Sequence, residues 1–345
     1  MSIAKQYAVS PAVQAMSAYQ AGKPIEDLAR EFDLDPNKII KLASNENPLG
    51  YSDKVHKALH GFLEGSERQA LGRYPDANGF ALKQALSEHY GVASDWITLG
   101  NGSNDLLELV SLALLNEHTS CVYSQYAFVV YRLSTQARGA RHIQVPAKNY
   151  GHDLDAMFEA IAEDTRLVFI ANPNNPTGTF HSGQAIEDFV ARVFEKYGLN
   201  VTVVLDEAYN EYLDPELRFN SAALVGKYPN LVVLRTFSKA YGLAAIRVGF
   251  AIARPALTDF FNRVRQPFNV NSFAQVAAQA ALQDTEFLQR TYELNKQGKE
   301  MLSQAFTQLG LSYVPSYGNF ILVKIPDALL VNQELLRKGI IVRPV

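Results

Sequence analysis

The stretch LVVLRTFSKAYG, residues 231–242, decides the fold of this 345-residue chain. It opens with four apolar residues, and a short apolar run with β-branched members is typical of a parallel strand covered on both faces. Polar residues follow at once, among them Ser238 and Lys239. Because ligands of open α/β sheets gather at the carboxyl ends of strands, the stretch indicates a parallel sheet with a site at its edge.

Strand and helix patterns alternate along the chain on both sides of this stretch. Further strands are predicted at WITLG (96–100), SCVYS (120–124), RHIQVPA (141–147), RLVFIA (166–171), VTVVLDE (201–207) and RVGFAIA (247–253). Helices are predicted over PIEDLAREFDL (24–34), FALKQALSEHY (80–90), DLLELVSLALL (105–115), FVVYRLSTQA (128–137), DAMFEAIA (155–162) and AIEDFVARVFEKY (185–197). This alternation predicts an α/β fold with a mostly parallel, doubly wound sheet.

Two domains are expected in a chain of this length. The alternating pattern defines a large domain over residues 46–269. Beyond it come a long helical stretch and two strand-like segments, NFILVKI (319–325) and GIIVRPV (339–345). We expect a smaller α+β domain in which residues 1–45 join residues 270–345.

Composition excludes several classes of protein. Hydrophobic residues make up 48% of the chain and charged residues 19%, which favours a sizeable folded core over disorder. The net charge of −3 comes without a basic stripe, so no nucleic-acid partner is expected. We expect no membrane span and no signal peptide, because no apolar run has the required length or position. With Cys121 as its single cysteine and no histidines at metal-ligand spacing, the chain is expected to be cytoplasmic and free of metal.

The first candidate site is LGNGSNDLLEL, residues 99–109, where Gly100, Gly102 and Ser103 join a strand to a helix. The free N–H groups and partial positive charge of a helix N-terminus could hold a phosphate here. Ordinary turn chemistry explains the same residues, because glycine and serine are common in such turns.

Two further junctions carry polar side chains. In NPNNPTG, residues 172–178, Asn175 can present an amide to a ligand, although an asparagine-rich loop explains it as well. In DEAYNEY, residues 206–212, Asp206 ends an apolar run, where a carboxylate is costly unless it is paired. Tyr209 would lie close to Asp206 if the chain turns there, and a helix-capping role for the aspartate stays open.

The fourth junction is the opening stretch together with Arg247. Thr236, Ser238 and Arg247 are suitable ligands for a phosphate dianion. A lysine at a buried strand end, such as Lys239, has a lowered pKa and can form a Schiff base, whereas a lone lysine is ordinarily solvated. Together the four junctions offer a phosphate cradle, a carboxylate, a phenol, an amide and an amine, which is the set that pyridoxal phosphate requires.

The motifs and their order resemble those of one known family. They are ASNENPLG (43–50), RYPD (73–76), GNGSND (100–105), NPNNPTG (172–178), DEAYNEY (206–212), TFSKAYGLAAIRVGF (236–250) and GIIVRP (339–344). In this order they resemble the fold-type I aminotransferases, and specifically the histidinol-phosphate aminotransferase family. The resemblance covers essentially the whole chain. SKAYGLAAIRVGF and NPNNPTG are specific for the superfamily, and ASNENPLG and RYPD narrow it to the family.

The resemblance implies a role for each matching residue at the cofactor. Lys239 would be the Schiff-base lysine and the base that moves the proton between the substrate Cα and C4′ of the cofactor. Asp206 would pair with the pyridinium nitrogen, and Tyr209 and Asn175 would contact the 3-oxygen. The residues implied around the phosphate are Gly102, Ser103, Asn104, Thr236, Ser238 and Arg247.

Further matches concern the ring face, the partner subunit and the substrate. The resemblance implies that Tyr126 stacks on the cofactor ring. Tyr74 would reach the phosphate of the neighbouring subunit's cofactor, which implies a homodimer with shared sites. Tyr19 and Arg343 would line the pocket for the anionic end of the substrate.

Two departures from the family pattern affect that pocket. Ala18 stands where the family usually has proline before the tyrosine. Family members also continue beyond the position of Val345 with a strand that carries a second anion-binding arginine. Either this sequence stops short of that strand or the protein lacks part of the substrate pocket, and the cofactor site is expected to be retained in both cases.

The implied reaction interconverts histidinol phosphate plus 2-oxoglutarate with imidazole-acetol phosphate plus glutamate, in histidine biosynthesis. An aromatic or prephenate-type aminotransferase shares every cofactor residue and stays an alternative, and a threonine-phosphate decarboxylase shares the fold. A cofactor-binding regulator would carry a helix-turn-helix ahead of this fold, which we do not expect from the N-terminal segment. A Rossmann nucleotide binder is disfavoured because Asp105 stands at the third glycine of G-x-G-x-x-G.

Overall fold

The computed structural model describes residues 8–19, 22–65 and 71–345, so predictions on residues 1–7, 20–21 and 66–70 lie outside the described residues. The strands are β1 Ile40–Lys41, β2 Ile97–Gly100, β3 Ser120–Ser124, β4 Arg141–Val145, β5 Thr165–Ala171, β6 Thr202–Asp206, β7 Leu231–Thr236, β8 Gly249–Ile252, β9 Ser312–Val314, β10 Leu322–Lys324 and β11 Ile340–Ile341. The helices are α1 Pro11–Gln14, α2 Ile25–Phe32, α3 Asp53–Glu64, α4 Phe80–Tyr90, α5 Ser103–Leu114, α6 Val129–Ala137, α7 Leu154–Glu159, α8 Gly183–Tyr197, α9 Ser221–Lys227, α10 Pro255–Val264, α11 Ser272–Leu282, α12 Thr285–Gln308 and α13 Ala328–Arg337.

The large sheet has seven strands within the described residues, in the order β2-β8-β7-β6-β5-β3-β4. Strands β4, β3, β5, β6 and β7 pair in parallel. Strand β8 runs antiparallel to both of its neighbours, β7 and β2, so β2 points the same way as the parallel strands. The predicted α/β fold with a mostly parallel sheet is confirmed.

Both faces of this sheet are covered by helices, and side chains alternate between the faces along each strand. In β6, Val203 and Leu205 belong to one hydrophobic core, and Val204 between them belongs to the other. Helices α4, α8, α9 and α11 contribute to the first core, and α5, α6 and α10 to the second. Full burial of each such side chain contributes about 1.5–3 kcal/mol, so the two cores hold the sheet.

The N-terminal segment packs against the C-terminal part of the chain. Strand β1 pairs in parallel with β11, and Ile40 lies opposite Ile340. Ala43 is buried in a small core together with Ile341. Helix α11 instead packs on α3 and α4 in a core of the large sheet. The expected domain boundaries stay predictions, and this packing favours placing α11 with the large sheet.

Several elements have no counterpart among the sequence-based predictions: α3, α9, α10, α13, β1 and β9. Two of these helices begin with a side-chain cap: in α9 the Asn220 side chain accepts from the Ala223 N–H at 3.0 Å, and in α3 the Ser52 hydroxyl accepts from the Val55 N–H at 3.2 Å. Such caps satisfy an N–H group that lacks a partner in the first turn. Among the helices of the described ranges, none has both the length and the apolar surface needed to cross a membrane.

A buried ion pair ties β7 to the segment that follows β6. The Arg235 guanidinium on β7 contacts Glu207 Oε2 at 2.6 Å and Glu211 Oε1 at 3.2 Å. The Ser221 hydroxyl donates to Glu207 Oε2 at 2.7 Å. Burial raises the pKa of Glu207, and the charge of Arg235 opposes that rise. This pair therefore fixes the chain directly beside Asp206.

Replacing Arg235 with methionine should lower the free energy of unfolding by about 3–5 kcal/mol, because two buried carboxylates then lose their cation. Glu207→Gln should cost less, since Arg235 keeps its contact with Glu211. Urea denaturation followed by circular dichroism measures both changes. The surface pair Arg263–Asp259 supplies the control, and Arg263→Met should change stability by about 1 kcal/mol or less. An equally small loss in Arg235→Met would contradict the role of the buried pair.

Candidate functional site

The carboxyl ends of strands β2 to β7 and the amino end of β8 lie at one edge of the large sheet. Strand β8 begins at this edge, since its first residue, Gly249, pairs with Gly100 at the end of β2 and with Thr236 at the end of β7. The polar segments that follow these strands therefore converge. All four junctions that the sequence singled out come together at this edge.

An anion-binding cradle lies where α5 begins. Gly102 precedes the helix at φ +87° and has no side chain to cap its first N–H groups. The Arg247 guanidinium lies against Gly102, since a β-carbon there would stand 2.2 Å from Nη2. Arg247 donates to the Ser238 hydroxyl at 3.1 Å, and the Ser238 N–H donates to Thr236 Oγ1 at 3.1 Å. Helix N–H groups, hydroxyls and a guanidinium placed together suit a phosphate.

Arg247 takes a left-handed backbone conformation, with φ +62°. Residues other than glycine seldom do so, and such strain collects at functional sites. The guanidinium is held by the carbonyl oxygens of Ala244 at 3.0 Å and Asn101 at 3.3 Å. It is thereby fixed at the start of α5, whose first turn contains the half-buried Ser103 and the exposed Asn104.

Asp206 ends β6 and is 6% exposed. The Tyr131 hydroxyl donates to its Oδ2 at 2.8 Å, and the Ala208 N–H donates to Oδ1 at 3.2 Å. Burial raises the pKa of this carboxyl, while the two hydrogen bonds and the nearby charge of Lys239 oppose the rise. A carboxylate has about four acceptor positions, so Asp206 retains capacity for a cationic group of a ligand.

The Tyr209 hydroxyl is oriented by two amides. It accepts from Asn175 Nδ2 at 3.1 Å and from Asn45 Nδ2 at 3.0 Å. Both of its lone pairs are then used, so its proton can point at an oxygen of a ligand. Burial raises the pKa of Tyr209 well above its ordinary value, and the charge of Asp206 adds to the rise. The phenol therefore remains a donor at neutral pH.

Lys239 follows β7 and is partly buried. Its Nζ donates to the Ser44 carbonyl oxygen at 2.9 Å and lies 5.9 Å from the centre of the Tyr209 ring. Burial lowers the pKa of Lys239 to about 8, and the positive charges of Arg247 and Arg343 add to the lowering. This agrees with the expectation for a lysine at a buried strand end. An appreciable fraction of the amine is thus uncharged and nucleophilic near neutral pH.

The predicted ring-stacking residue lies nearer the surface. The Tyr126 ring is 40% exposed and stacks on Tyr150 with centroids 5.6 Å apart. Two residues further on, Phe128 contacts Tyr131 edge to face at 6.0 Å, and Tyr131 binds Asp206. The stacking role of Tyr126 stays a prediction, and Phe128 packs against the tyrosine that binds the carboxylate.

Tyr19 and Arg343 are brought together from opposite ends of the chain. Arg343 Nη1 donates to Tyr19 Oη at 3.3 Å. Both residues line a cavity of about 310 Å³. The positive charge of Arg343 also contributes to the lowered pKa of Lys239.

Tyr74 belongs to an exposed aromatic surface. Its ring stacks on Phe268 with centroids 4.5 Å apart and an angle of 17°. Tyr74 is 81% exposed and Phe268 40% exposed. Exposed apolar surfaces of this kind mark contacts with other molecules.

Two residues of the site escaped the sequence analysis, namely Asn45 and Tyr131. Asn45 lies inside the motif ASNENPLG, and its left-handed φ of +54° aims its amide at Tyr209. The motif marked this segment as characteristic of the family, although it assigned no role to Asn45. Tyr131 lies in an ordinary amphipathic helix, where no local pattern distinguishes it from other core residues.

The side chains at this edge define the chemistry that the site can support. An amine with a lowered pKa can bond to a carbonyl carbon. The cradle can hold a phosphate, and a buried carboxylate can hold a basic nitrogen in its protonated form. The fold and the site are those of an enzyme that binds a phosphorylated carbonyl compound covalently.

Comparison with known proteins agrees with this geometry. The model of the family described as "Aminotransferase class I and II" matches residues 37–345. Histidinol-phosphate aminotransferase 1 of Cupriavidus pinatubonensis is 59% identical over 96% of this chain and 87% of the relative. Histidinol-phosphate aminotransferase 2 of Ralstonia nicotianae is 57% identical over 96% of this chain and 88% of the relative. The crystal structure of histidinol-phosphate aminotransferase from Sinorhizobium meliloti in complex with pyridoxal-5'-phosphate is similar with a TM-score of 0.86 and 26% identity, covering 97% of this chain and 89% of that chain.

The chain belongs to the class I and II aminotransferases and, among them, to the histidinol-phosphate aminotransferase family. The resemblance drawn from the motifs is confirmed. The expected type of enzyme, an aminotransferase, is confirmed with it.

The lowered pKa of Lys239 predicts that its effect on stability depends on pH. Below about pH 8 the amine is charged in the folded and the unfolded chain, so the folded protein bears the full cost of burying it. Between about pH 8 and 10.5 the unfolded chain binds more protons, so stability rises with pH and the cost disappears. Lys239→Met should therefore be more stable than the parent at pH 7, with a gain that shrinks between pH 8 and 10.5.

Thermal denaturation at a series of pH values measures this difference. The control is Lys338→Met, which removes an exposed lysine and should show no such gain at pH 7. A stability difference between Lys239→Met and the parent that stays constant from pH 7 to above 10.5 would contradict the assigned pKa.

Proposed function

We propose that this protein transfers an amino group between histidinol phosphate and 2-oxoglutarate, with pyridoxal phosphate as its cofactor, in histidine biosynthesis. The two relatives named for histidinol phosphate match nearly the whole chain and support this donor. The observation that carries the proposal is the buried amine of Lys239. Its pKa is about 8, and the charges of Asp206 and Arg247 both act on that pKa. An amine between a carboxylate and an anion cradle suits a phosphorylated aldehyde with a basic ring nitrogen.

The side chains present fit this cofactor. Its phosphate suits the cradle, where the contact between Gly102 and Arg247 leaves no space for a side chain. Its protonated ring nitrogen suits the remaining acceptor positions of Asp206. Its 3-oxygen suits the Tyr209 proton, which two amides leave free to point away from them. The residues that would hold the phosphate are Gly102, Ser103, Asn104, Thr236, Ser238 and Arg247, and Asn175 would join Tyr209 at the 3-oxygen.

The chain's own residues would bind the substrate and move its proton. Pyridoxal phosphate, when bound, supplies an electron sink for the carbon next to the donor's amino group. Lys239 would hold the aldehyde carbon and, once displaced, would remove the proton from the donor Cα and deliver it to the carbon that had been the aldehyde carbon. With a pKa of about 8, its amine can both accept and release a proton near neutral pH. Tyr19 and Arg343 would bind the anionic end of the substrate in the cavity they share.

The proposed active form is a homodimer with shared sites. Tyr74 would reach the phosphate in the partner's site, while Phe268 supports its ring. Phe80, which follows Tyr74 closely in the sequence, is also exposed, at 71%. A surface of exposed aromatic side chains suits contact with a second copy of the chain.

Location and domain division complete the proposal. A single cysteine suits a reducing compartment, which supports a cytoplasmic location. The pairing of β1 with β11 supports a small domain in which residues 1–45 join residues of the range 270–345, while α11 within that range packs with the large sheet.

Replacing Lys239 with alanine should lower kcat for histidinol phosphate by at least about 10²–10⁴-fold, because the variant lacks the base at Cα. The protein should still fold, since the change removes a buried charge. Borohydride treatment with pyridoxal phosphate should leave a covalent adduct on the Lys239 peptide of the parent and none at this position in the variant. Mass spectrometry reads out the adduct, and Lys338→Ala is the matched control.

The donor is tested on the same preparations with histidinol phosphate and phenylalanine. Transfer to 2-oxoglutarate from histidinol phosphate at the higher kcat/KM supports the proposal. Preference for phenylalanine would replace the proposed donor by an aromatic amino acid, and release of carbon dioxide would indicate a decarboxylase. Failure of the parent to form the Lys239 adduct would refute the cofactor assignment.

Mixing Tyr74→Ala with Lys239→Ala should restore activity if the sites are shared. In a mixed dimer, the Tyr74→Ala subunit keeps its own Lys239 and receives Tyr74 from its partner, which completes one site. The mixture should therefore be more active per Tyr74→Ala subunit than Tyr74→Ala alone. Mixing takes place under mild denaturant, followed by dilution and assay with histidinol phosphate. Activity equal to that of the unmixed variants would place Tyr74 outside the partner's site.

A further inference from the structure

Tyr131 supplies the side-chain hydrogen bond to the buried carboxylate of Asp206. Its hydroxyl donates to Oδ2 at 2.8 Å, while the other oxygen, Oδ1, accepts the Ala208 N–H at 3.2 Å. One donor thus comes from the segment that follows Asp206, and the other comes from α6, 75 residues earlier in the chain. The two oxygens are held from different directions, so the plane of the carboxylate is defined.

The ring of Tyr131 is fixed by packing. Tyr131 is fully buried and stacks on Phe169 of β5, with centroids 4.5 Å apart and an angle of 9°. Phe128 packs against it edge to face at 6.0 Å. A ring held by two aromatic neighbours keeps its hydroxyl in place even before a ligand binds.

The charge states of Tyr131 and Asp206 favour a hydrogen bond that the Tyr131 hydroxyl donates to the carboxylate. Burial raises the pKa of Tyr131 well above its ordinary value, and the charge of Asp206 adds to the rise, so the phenol keeps its proton. Burial also raises the pKa of Asp206, and the Tyr131 hydrogen bond opposes that rise. Lys239 and Tyr209 are the other titratable groups whose charge interacts with Asp206. Tyr131 therefore favours the ionised carboxylate that a cation requires.

We propose that Tyr131 is a positioning residue that orients the Asp206 carboxylate for pairing with the ring nitrogen of pyridoxal phosphate, an inference that rests on the proposed function. Without the hydroxyl, Oδ2 would lose its side-chain donor in a buried place, and the carboxylate could rotate or take up a proton. The cationic ring nitrogen would then lose its defined partner. Cofactor affinity and turnover depend on that pairing, whereas donor binding through Tyr19 and Arg343 does not.

The test is Tyr131→Phe, which removes one oxygen atom and keeps the ring in its stack. The matched control is Tyr123→Phe. Tyr123 is buried in the same hydrophobic core on β3, and its hydroxyl has no hydrogen-bond partner within the described residues. Equilibrium dialysis measures the Kd of pyridoxal phosphate, and steady-state assays measure kcat and KM for the donor that the parent uses.

Tyr131→Phe should raise the Kd of pyridoxal phosphate and lower kcat, each about tenfold or more, as expected when a charged group loses a hydrogen bond. KM for the donor should change little, and Tyr123→Phe should match the parent. Parental Kd and kcat in Tyr131→Phe would overturn the inference, as would equal losses in both variants, which would assign the effect to packing. A parent that binds no pyridoxal phosphate would overturn the proposed function, and the inference with it.

Discussion

Burial of the large sheet on both faces is the constraint on which the rest of the structure depends. A charged group inside either core would lack water and a partner, at a cost of several kcal/mol, on the order of the total stability of a domain. Asp206 therefore lies at the end of β6, and Lys239 lies in the segment just beyond the end of β7. Strand β8 adds Arg247 to these polar side chains. Its antiparallel direction places Arg247 at the edge where the parallel strands end.

The ends of β6 and β7 carry polar groups toward both faces. Side chains alternate along a strand, so Asp206 and Glu207 point to opposite sides of the sheet. Glu207 pairs with Arg235 on one face of the sheet. Asp206 lies on the other face, where its charge acts on Lys239. One face thus holds the strand ends in register, and the other supplies the chemistry. Left-handed residues concentrate strain in the same region, as seen at Arg247 and Asn45.

A helix or strand could be predicted when a short stretch of sequence carries the pattern that indicates it. Strands β5, β6 and β7 were predictable because each contains a continuous apolar run buried on both faces, whereas the edge strand β4 is mostly exposed. Strands β1 and β9 span only two and three residues, so their patterns are too short to read. Helix α11 carries an alanine-rich face that suits either domain, and its packing on α3 and α4 follows from tertiary contacts.

The sequence by itself determined the fold class, the family and the candidate residues that follow the strands, because apolar runs and strand-end motifs are properties of short segments. Lys239, Asp206 and Tyr209 were all named on that basis. Only the tertiary structure decided which groups orient them. Tyr131 reaches Asp206 across 75 residues and Asn45 reaches Tyr209 across 164, and neither distance leaves a local pattern. They meet their partners because packing in the second core of the large sheet positions helix α6, and the small core with Ile341 positions the N-terminal segment.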